Sequence, residues 1–120
     1  MNDLWASHPY LKTARQRDVY RELVIVQYLR KYHGNRSLSE IAFEMPDECS
    51  KPVVKRNIDR LVAEGWVERV AIEQEGELTG LGRVYYRISK QVSEAEIEAL
   101  VGQLSVSISE IYDDWLTGDV

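Results

Sequence analysis

The fold of this chain depends on residues 49–69, CSKPVVKRNIDRLVAEGWVER. Ser50 is a favourable helix cap, and Pro52 fits the first turn of a helix, where its missing N–H costs nothing. An apolar stripe at helical spacing follows, formed by Val54, Ile58, Leu61 and Val62. Gly65 suits the left-handed residue after a helix end, and residues 66–70 alternate apolar and polar side chains like a half-buried strand. The stretch therefore predicts a helix that turns directly into a strand.

The predicted helix, at about residues 50–64, has a face of positive charge opposite its apolar stripe. Residues 51–60 hold four cations against the single carboxylate of Asp59. These cations are Lys51, Lys55, Arg56 and Arg60. A solvated surface would explain such a face without any function, so its meaning depends on the rest of the chain.

The composition is that of one ordinary globular domain. The 120 residues are 44% hydrophobic and 29% charged, and no apolar run approaches the ~20 residues that span a bilayer. One cysteine and two histidines exclude an internal disulfide and disfavour a structural zinc site. The N-terminus lacks the basic and apolar segments of a secretory signal, so we expect a cytoplasmic protein with no membrane partner.

Charge is segregated along the chain. The net charge is −5, and residues 91–120 carry seven anions and no cation, which leaves +2 for residues 1–90. Such segregation suggests that one end of the molecule faces a polyanion and the other end faces away.

Two more helices are expected before the central stretch. Residues 13–16 and 37–40 each fit a capping box, the pattern that opens a helix. The first helix is apolar on every face at residues 23–26, which predicts burial on more than one side, in a central position or against a partner subunit. The second helix is short and ends before Pro46. Beyond the central strand, residues 83–88 are rich in β-branched and aromatic side chains and predict a second strand.

The element order is helix, short helix, turn, cation-faced helix, strand, glycine-rich loop and strand, which is the order of a winged helix-turn-helix. Residues 15–90 resemble the MarR-, PadR- and ArsR-like transcriptional regulators. The matching segments are S37-L-S-E-I-A42, V53-V-K-R-N-I-D-R-L-V-A-E-G65 and G82-R-V-Y-Y-R-I-S89. The resemblance implies an α+β, mostly helical fold, double-stranded DNA as the ligand and a dimer formed through terminal helices.

A third capping box at residues 93–96 opens a helix with a heptad seam. The seam consists of Ile97, Val101, Leu104, Ile108, Ile111 and Trp115. It can pack on the first helix or on a second copy of the chain. We favour a homodimer, because the apolar surface of the two helices exceeds what one small core can cover. We thus divide the chain into an arm (1–12), a winged helix-turn-helix domain (13–92) and a dimerisation helix (93–120). The arm could pack on a neighbour or on the body of the protein.

Six side chains form the predicted DNA-binding set: Ser50, Lys51, Lys55, Arg56, Arg60 and Arg83. Lys55 and Arg56 are assigned to base edges in the major groove, because a guanidinium can donate one hydrogen bond to O6 and another to N7 of the same guanine. Ser50 and Lys51 lie at the helix N-terminus, whose dipole favours phosphate. Arg60 is assigned to the DNA backbone or to an acidic neighbour.

The wing departs from the family pattern. Arg83 resembles the wing arginine that borders the minor groove, but Glu73, Glu75 and Glu77 occupy the expected wing tip and repel phosphate. Two hypotheses therefore stand. The first is a homodimeric repressor that reads double-stranded DNA. The second is a winged-helix protein-interaction or adaptor module of a plasmid, viral or replication assembly, without sequence-specific DNA binding.

Other chemistry finds little support in the sequence. Cys49 precedes a helix N-terminus, which permits a redox sensor, although a small buried turn residue is the commoner role. His8 and His33 resemble loop residues, and no glycine-rich phosphate loop is present, so we expect no enzyme, metal or cofactor. A small-molecule effector could bind near the dimer helix, lined by some of Tyr20, Tyr28, Tyr32 and Trp115, which are equally suited to a core.

Overall fold

A central helix and a small sheet form a winged helix in the computed structural model of the chain, which describes residues 7–45, 50–72 and 83–118. The expected turn at residues 46–50, apart from Ser50, and the wing tip at residues 73–82 lie outside these ranges. The element order confirms the predicted α+β, mostly helical fold. In chain order the elements are α1 (Ala14–Lys31), β1 (Arg36–Ser37), α2 (Leu38–Phe43), α3 (Lys51–Ala63), β2 (Val67–Ile72), β3 (Arg83–Ile88) and α4 (Glu94–Thr117).

Capping boxes open α1, α2 and α4, as predicted. The Thr13 hydroxyl accepts a hydrogen bond from the Gln16 backbone N–H at 3.1 Å, and the Gln16 side chain accepts one from the Thr13 N–H at 3.1 Å. Residues 37–40 and 93–96 repeat this reciprocal arrangement. Each box satisfies two backbone donors that the first turn of a helix leaves without intrahelical partners.

The N-terminus of α3 lacks such a side-chain cap. Ser50 is the N-cap residue and Pro52 lies in the first turn, but the Ser50 hydroxyl makes no capping hydrogen bond. The Ser50 carbonyl accepts the backbone N–H groups of Val53 and Val54 at 3.1 and 3.2 Å. Ser50 is exposed, so its hydroxyl stands at a helix end whose dipole favours an anion.

The other end of α3 is closed by a Schellman motif. Gly65 adopts a left-handed conformation with φ of 87°, which a residue with a side chain enters only with strain. Its N–H donates to the Val62 carbonyl, and the Trp66 N–H donates to the Leu61 carbonyl, both at 3.0 Å. Only residues 64–66 therefore separate α3 from β2.

The sheet is antiparallel, with the strand order β1-β3-β2. β2 and β3 pair along their full length, in the register that places Val67 opposite Ile88. β1 joins the outer edge of β3, with Arg36 opposite Tyr86. The strands β2 and β3 confirm the predicted hairpin, whereas β1 has only two residues and is too short to show a period in the sequence.

The core surrounds α1. Ile25 and Val26 at its centre are fully buried, together with Val54 and Ile58 of α3 and Ile41 of α2. α1 packs against α3, α4 and β3. This packing explains the helix that is apolar on every face, because α1 is covered on several sides within its own chain.

The first turns of α4 belong to this core, whereas its later turns extend beyond it. Ile97 and Leu100 are buried, and Arg30 of α1 forms ion pairs with Glu94 and Glu98. The heptad seam assigns Ile97 to a dimer interface, but its side chain is 2% exposed within its own chain and has little area left for a partner. The molecule is elongated, with extents of 58 × 36 × 21 Å.

The described part of the N-terminal arm packs on the body of the same chain. Leu11 is 1% exposed, and its carbonyl accepts a hydrogen bond from Arg17 Nε at 2.9 Å. The Tyr10 ring lies 5.1 Å from the Tyr112 ring and 6.3 Å from the Trp115 ring. The arm therefore covers part of the C-terminal half of α4.

We expect Ile58→Ala to lower the free energy of unfolding by about 2–5 kcal/mol, because it opens a cavity where α3 meets the core. Urea denaturation measures the change. Val106→Ala is the control, since Val106 is an exposed aliphatic residue on α4 and should change stability by less than about 0.5 kcal/mol. Equal effects of both substitutions would contradict the described core.

Candidate nucleic-acid interface

The cations of α3 lie on the surface of the winged helix. Val54, Ile58 and Leu61 are buried in the core, which turns the opposite face of the same helix outward. The exposed residues on that outward side include Ser50, Lys51, Lys55, Arg56 and Arg60. Five of the six predicted DNA-binding residues are thus brought together on one element. Arg83 is the first residue of β3, and its side chain lies outside the described part of the structure.

Three of these cations form ion pairs with carboxylates. Lys55 Nζ lies 2.7 Å from Asp59 Oδ2, one helical turn away on α3. Arg56 Nη2 donates a hydrogen bond to Asp18 Oδ1 of α1 at 2.8 Å. Arg60 Nε lies 3.7 Å from Glu22 Oε1 of α1 and 3.6 Å from Glu64 Oε1 of α3. These carboxylates therefore offset part of the positive charge on the α3 surface.

The two α1 carboxylates are more buried than the arginines that they face. The side chains of Asp18 and Glu22 are 14% and 10% exposed, whereas that of Arg56 is 56% exposed. Asp18 Oδ1 also accepts a hydrogen bond from Arg21 Nη1 at 2.9 Å. A carboxylate between two guanidiniums is held in place, so Asp18 forms a fixed negative charge beneath the outer arginine.

Asp18 and Glu22 were not among the residues predicted for this surface. They precede Arg56 and Arg60 by 38 residues each, and no local pattern connects positions so far apart. A weak signal exists, because two acids spaced by four lie on one face of α1, as do two arginines spaced by four on α3. Such a match becomes informative only once the two helices are known to pack together.

Burial raises the pKa of the Glu22 carboxyl. Nearby Arg60 and Arg15 oppose this shift, and the carboxylates of Glu64 and Asp18 add to it. Glu22 Oε1 is buried and has no hydrogen-bond partner among the described residues. Its ion pair with Arg60 at 3.7 Å is too long for a strong hydrogen bond, so desolvation prevails.

The aromatic residues suggested for an effector site do not converge on one cavity. The Tyr28 and Tyr32 rings lie 5.1 Å apart, and the Tyr20 ring packs against His8 at 5.1 Å. Trp115 lies near Tyr10, on the far half of α4. A cavity of about 350 Å³ opens elsewhere, between the end of α1, the end of β3 and the start of α4, with none of the four suggested aromatics in its lining.

The described residues contain neither a metal-binding cluster nor a membrane-spanning helix. Within them, no three or more His, Cys, Asp or Glu side chains are grouped so that they could hold a metal ion. None of the described helices has the length and hydropathy needed to span a bilayer. Cys49, the suggested redox residue, lies outside the described ranges.

The chain has only distant similarity to known proteins. No family model matches the chain, and no curated protein does. Among solved structures, the crystal structure of wild-type MarR (apo form) from E. coli is 18% identical, with a TM-score of 0.48. The alignment covers 99% of this chain and 73% of the MarR chain. The winged helix is established by the order of the elements and the register of the strands.

We expect Glu22→Gln to be more stable than the wild type at neutral pH, and this advantage to shrink as the pH falls. The raised pKa means that the folded protein binds a proton at Glu22 more tightly than the unfolded chain does. The ionised carboxylate therefore destabilises the folded state above its folded pKa, and this penalty is lost as the pH falls toward the ordinary value of 4.5.

Urea denaturation between about pH 4 and pH 8 measures the difference between variant and wild type. Glu110→Gln is the matched control, because Glu110 is an exposed glutamate on α4. A difference for Glu22→Gln that does not change with pH would contradict the role given to burial.

Proposed function

We propose that this protein is a sequence-specific regulator of transcription that binds double-stranded DNA through α3. The observation that carries the proposal is the outward, cation-bearing face of α3 at the position of the recognition helix in a winged helix. A helix fits the major groove of B-DNA, where each base pair presents its own pattern of donors and acceptors.

The exposed residues of α3 suit two kinds of contact. Lys55 and Arg56 lie in the second turn, from which long side chains can reach base edges. Ser50 and Lys51 lie at the helix N-terminus, where an exposed hydroxyl, an ammonium and backbone N–H groups favour a phosphate. Arg60 lies further along the helix and is assigned to the DNA backbone. Arg83 is assigned to the border of the minor groove from its position at the start of β3, where it pairs with Ile72 of β2.

We further propose that the protein acts as a homodimer through the C-terminal half of α4. Ile108, Ile111 and Trp115 of the heptad seam are half-buried, and Leu116 beside them is exposed. Val101 and Leu104 lie at the junction with the core and complete the interface, from which the buried Ile97 is left out. A symmetric dimer would place two α3 helices about 34 Å apart, on successive major grooves of one DNA face. Occupancy of a promoter by such a dimer would repress transcription.

We expect the double variant Lys55→Ala/Arg56→Ala to lose about 1–3 kcal/mol of discrimination at the contacted base pairs. The measurement is fluorescence anisotropy with two labelled duplexes, one selected from a random pool by the wild-type protein and one scrambled from it. Titrations at several salt concentrations separate phosphate contacts from base contacts.

The matched control is Lys31→Ala/Lys90→Ala, which removes the same charge from exposed residues. Lys31 ends α1 about 20 Å along the helix axis from Asp18, the residue that contacts α3. If both double variants lose the same amount of discrimination, the change in net charge alone would explain the effect. If the wild type binds no duplex even at low salt, the DNA proposal fails and a protein-interaction module becomes the better hypothesis.

We expect Ile111→Glu to convert the dimer into a monomer, because it places a charge in the proposed apolar seam. Light scattering coupled to size-exclusion chromatography gives the mass directly. Ser109→Glu adds the same charge at an exposed position on α4 and should leave the dimer intact. A wild-type protein that is monomeric at micromolar concentration would contradict the proposed interface.

A further inference from the structure

Three of the four α3 cations that we assign to DNA lie beside carboxylates. Lys55 faces Asp59 of its own helix, whereas Arg56 and Arg60 face Asp18 and Glu22 of α1. The two α1 carboxylates differ from that of Asp59, because they come from a different helix and are largely buried. A carboxylate next to a DNA-facing arginine competes with phosphate for the same guanidinium.

The pairing between α1 and α3 leaves most donors of Arg56 unused in the described contacts. A guanidinium has five N–H donors, and the bond to Asp18 uses Nη2 at 2.8 Å. Base readout by Arg56 needs only two donors in the correct direction. Phosphate attraction, by contrast, depends on net charge, which Asp18 lowers at close range, although it shares its single negative charge between Arg56 and Arg21.

This difference separates two kinds of DNA binding. Binding to arbitrary DNA rests almost wholly on phosphate charge and counterion release, whereas binding to a cognate site adds hydrogen bonds at base edges. In a complex with arbitrary DNA the α3 arginines meet phosphates, so a nearby carboxylate weakens that complex by the charge it removes. At a cognate site Arg56 bonds a base edge, a contact that depends less on net charge, so the penalty there is smaller. Specificity that comes from a repulsive group against wrong ligands is common in recognition.

We propose that Asp18 and Glu22 are specificity-determining residues of the α3 surface, which suppress binding to arbitrary DNA by offsetting part of the positive charge of Arg56 and Arg60. The inference rests on the proposed function and names residues outside α3 that control it. Asp18 is the stronger member, because its hydrogen bond to Arg56 is short and its position is fixed by a second bond to Arg21.

The decisive variant is Asp18→Asn, which removes the charge and keeps an oxygen that can accept from both arginines. Affinity for the scrambled duplex should rise roughly three- to tenfold at about 0.1 M salt, and its salt dependence should steepen by about 0.9 in log–log slope, the value for one added phosphate contact. The ratio of selected to scrambled affinity should fall. Asp18→Glu, which restores the charge, should return this ratio toward the wild-type value.

Asp113→Asn is the matched control, because it makes the same substitution at an exposed position on α4. An equal rise in affinity for Asp113→Asn would overturn the inference, since net charge alone would explain it. Lower affinity of Asp18→Asn for both duplexes would also overturn it and would make Asp18 a residue that positions Arg56 for binding. Either result leaves the proposed function standing if the wild type binds its selected duplex.

Glu22→Gln is a second, independent variant, because it acts on Arg60 and not on Arg56. It should raise affinity for the scrambled duplex in the same direction, and circular dichroism during heating shows whether each variant is folded at the assay temperature. No duplex binding by the wild type or by either folded variant at low salt would reject the inference and the proposed function together.

Discussion

The burial of α1 is the constraint on which the rest of the structure depends. Ile25 and Val26 can leave water only if other elements cover several sides of the helix, and α3, α4 and β3 provide that cover. Once α3 packs on α1, the polar residues at the edge of the contact must also meet. Asp18 and Glu22 therefore lie beside Arg56 and Arg60 as a consequence of apolar packing.

The charge of the α3 surface therefore depends on side chains of both α1 and α3. The sequence of α3 contributes four cations and one anion in residues 51–60, but the folded surface also includes carboxylates from α1. Partly buried carboxylates are screened less by salt than exposed ones, so their influence on Arg56 and Arg60 persists at moderate ionic strength. The electrostatic character of α3 therefore depends on residues of both helices.

Local features were predictable from the sequence, and long-range pairings were not. The capping boxes at residues 13–16, 37–40 and 93–96 and the glycine at position 65 were recognisable because their contacts join residues three to five positions apart. The seam of α4 was visible as a period, but a period does not tell whether Ile97 faces its own core or another copy. The α1 carboxylates were missed because their partners lie 38 residues away, where only the tertiary fold connects them.

The three-residue connection between α3 and β2 also limits how the two elements can move. The Schellman motif fixes the direction in which the chain leaves the helix, and the Ser89 N–H donates a hydrogen bond to the Trp66 carbonyl at 3.0 Å. This bond ties the residue that follows β3 to the same point. A rotation of α3 must therefore carry the base of the wing with it. α3 and the β2–β3 hairpin are therefore held at a fixed separation. A surface that contacts both elements has to adapt its own shape to that spacing.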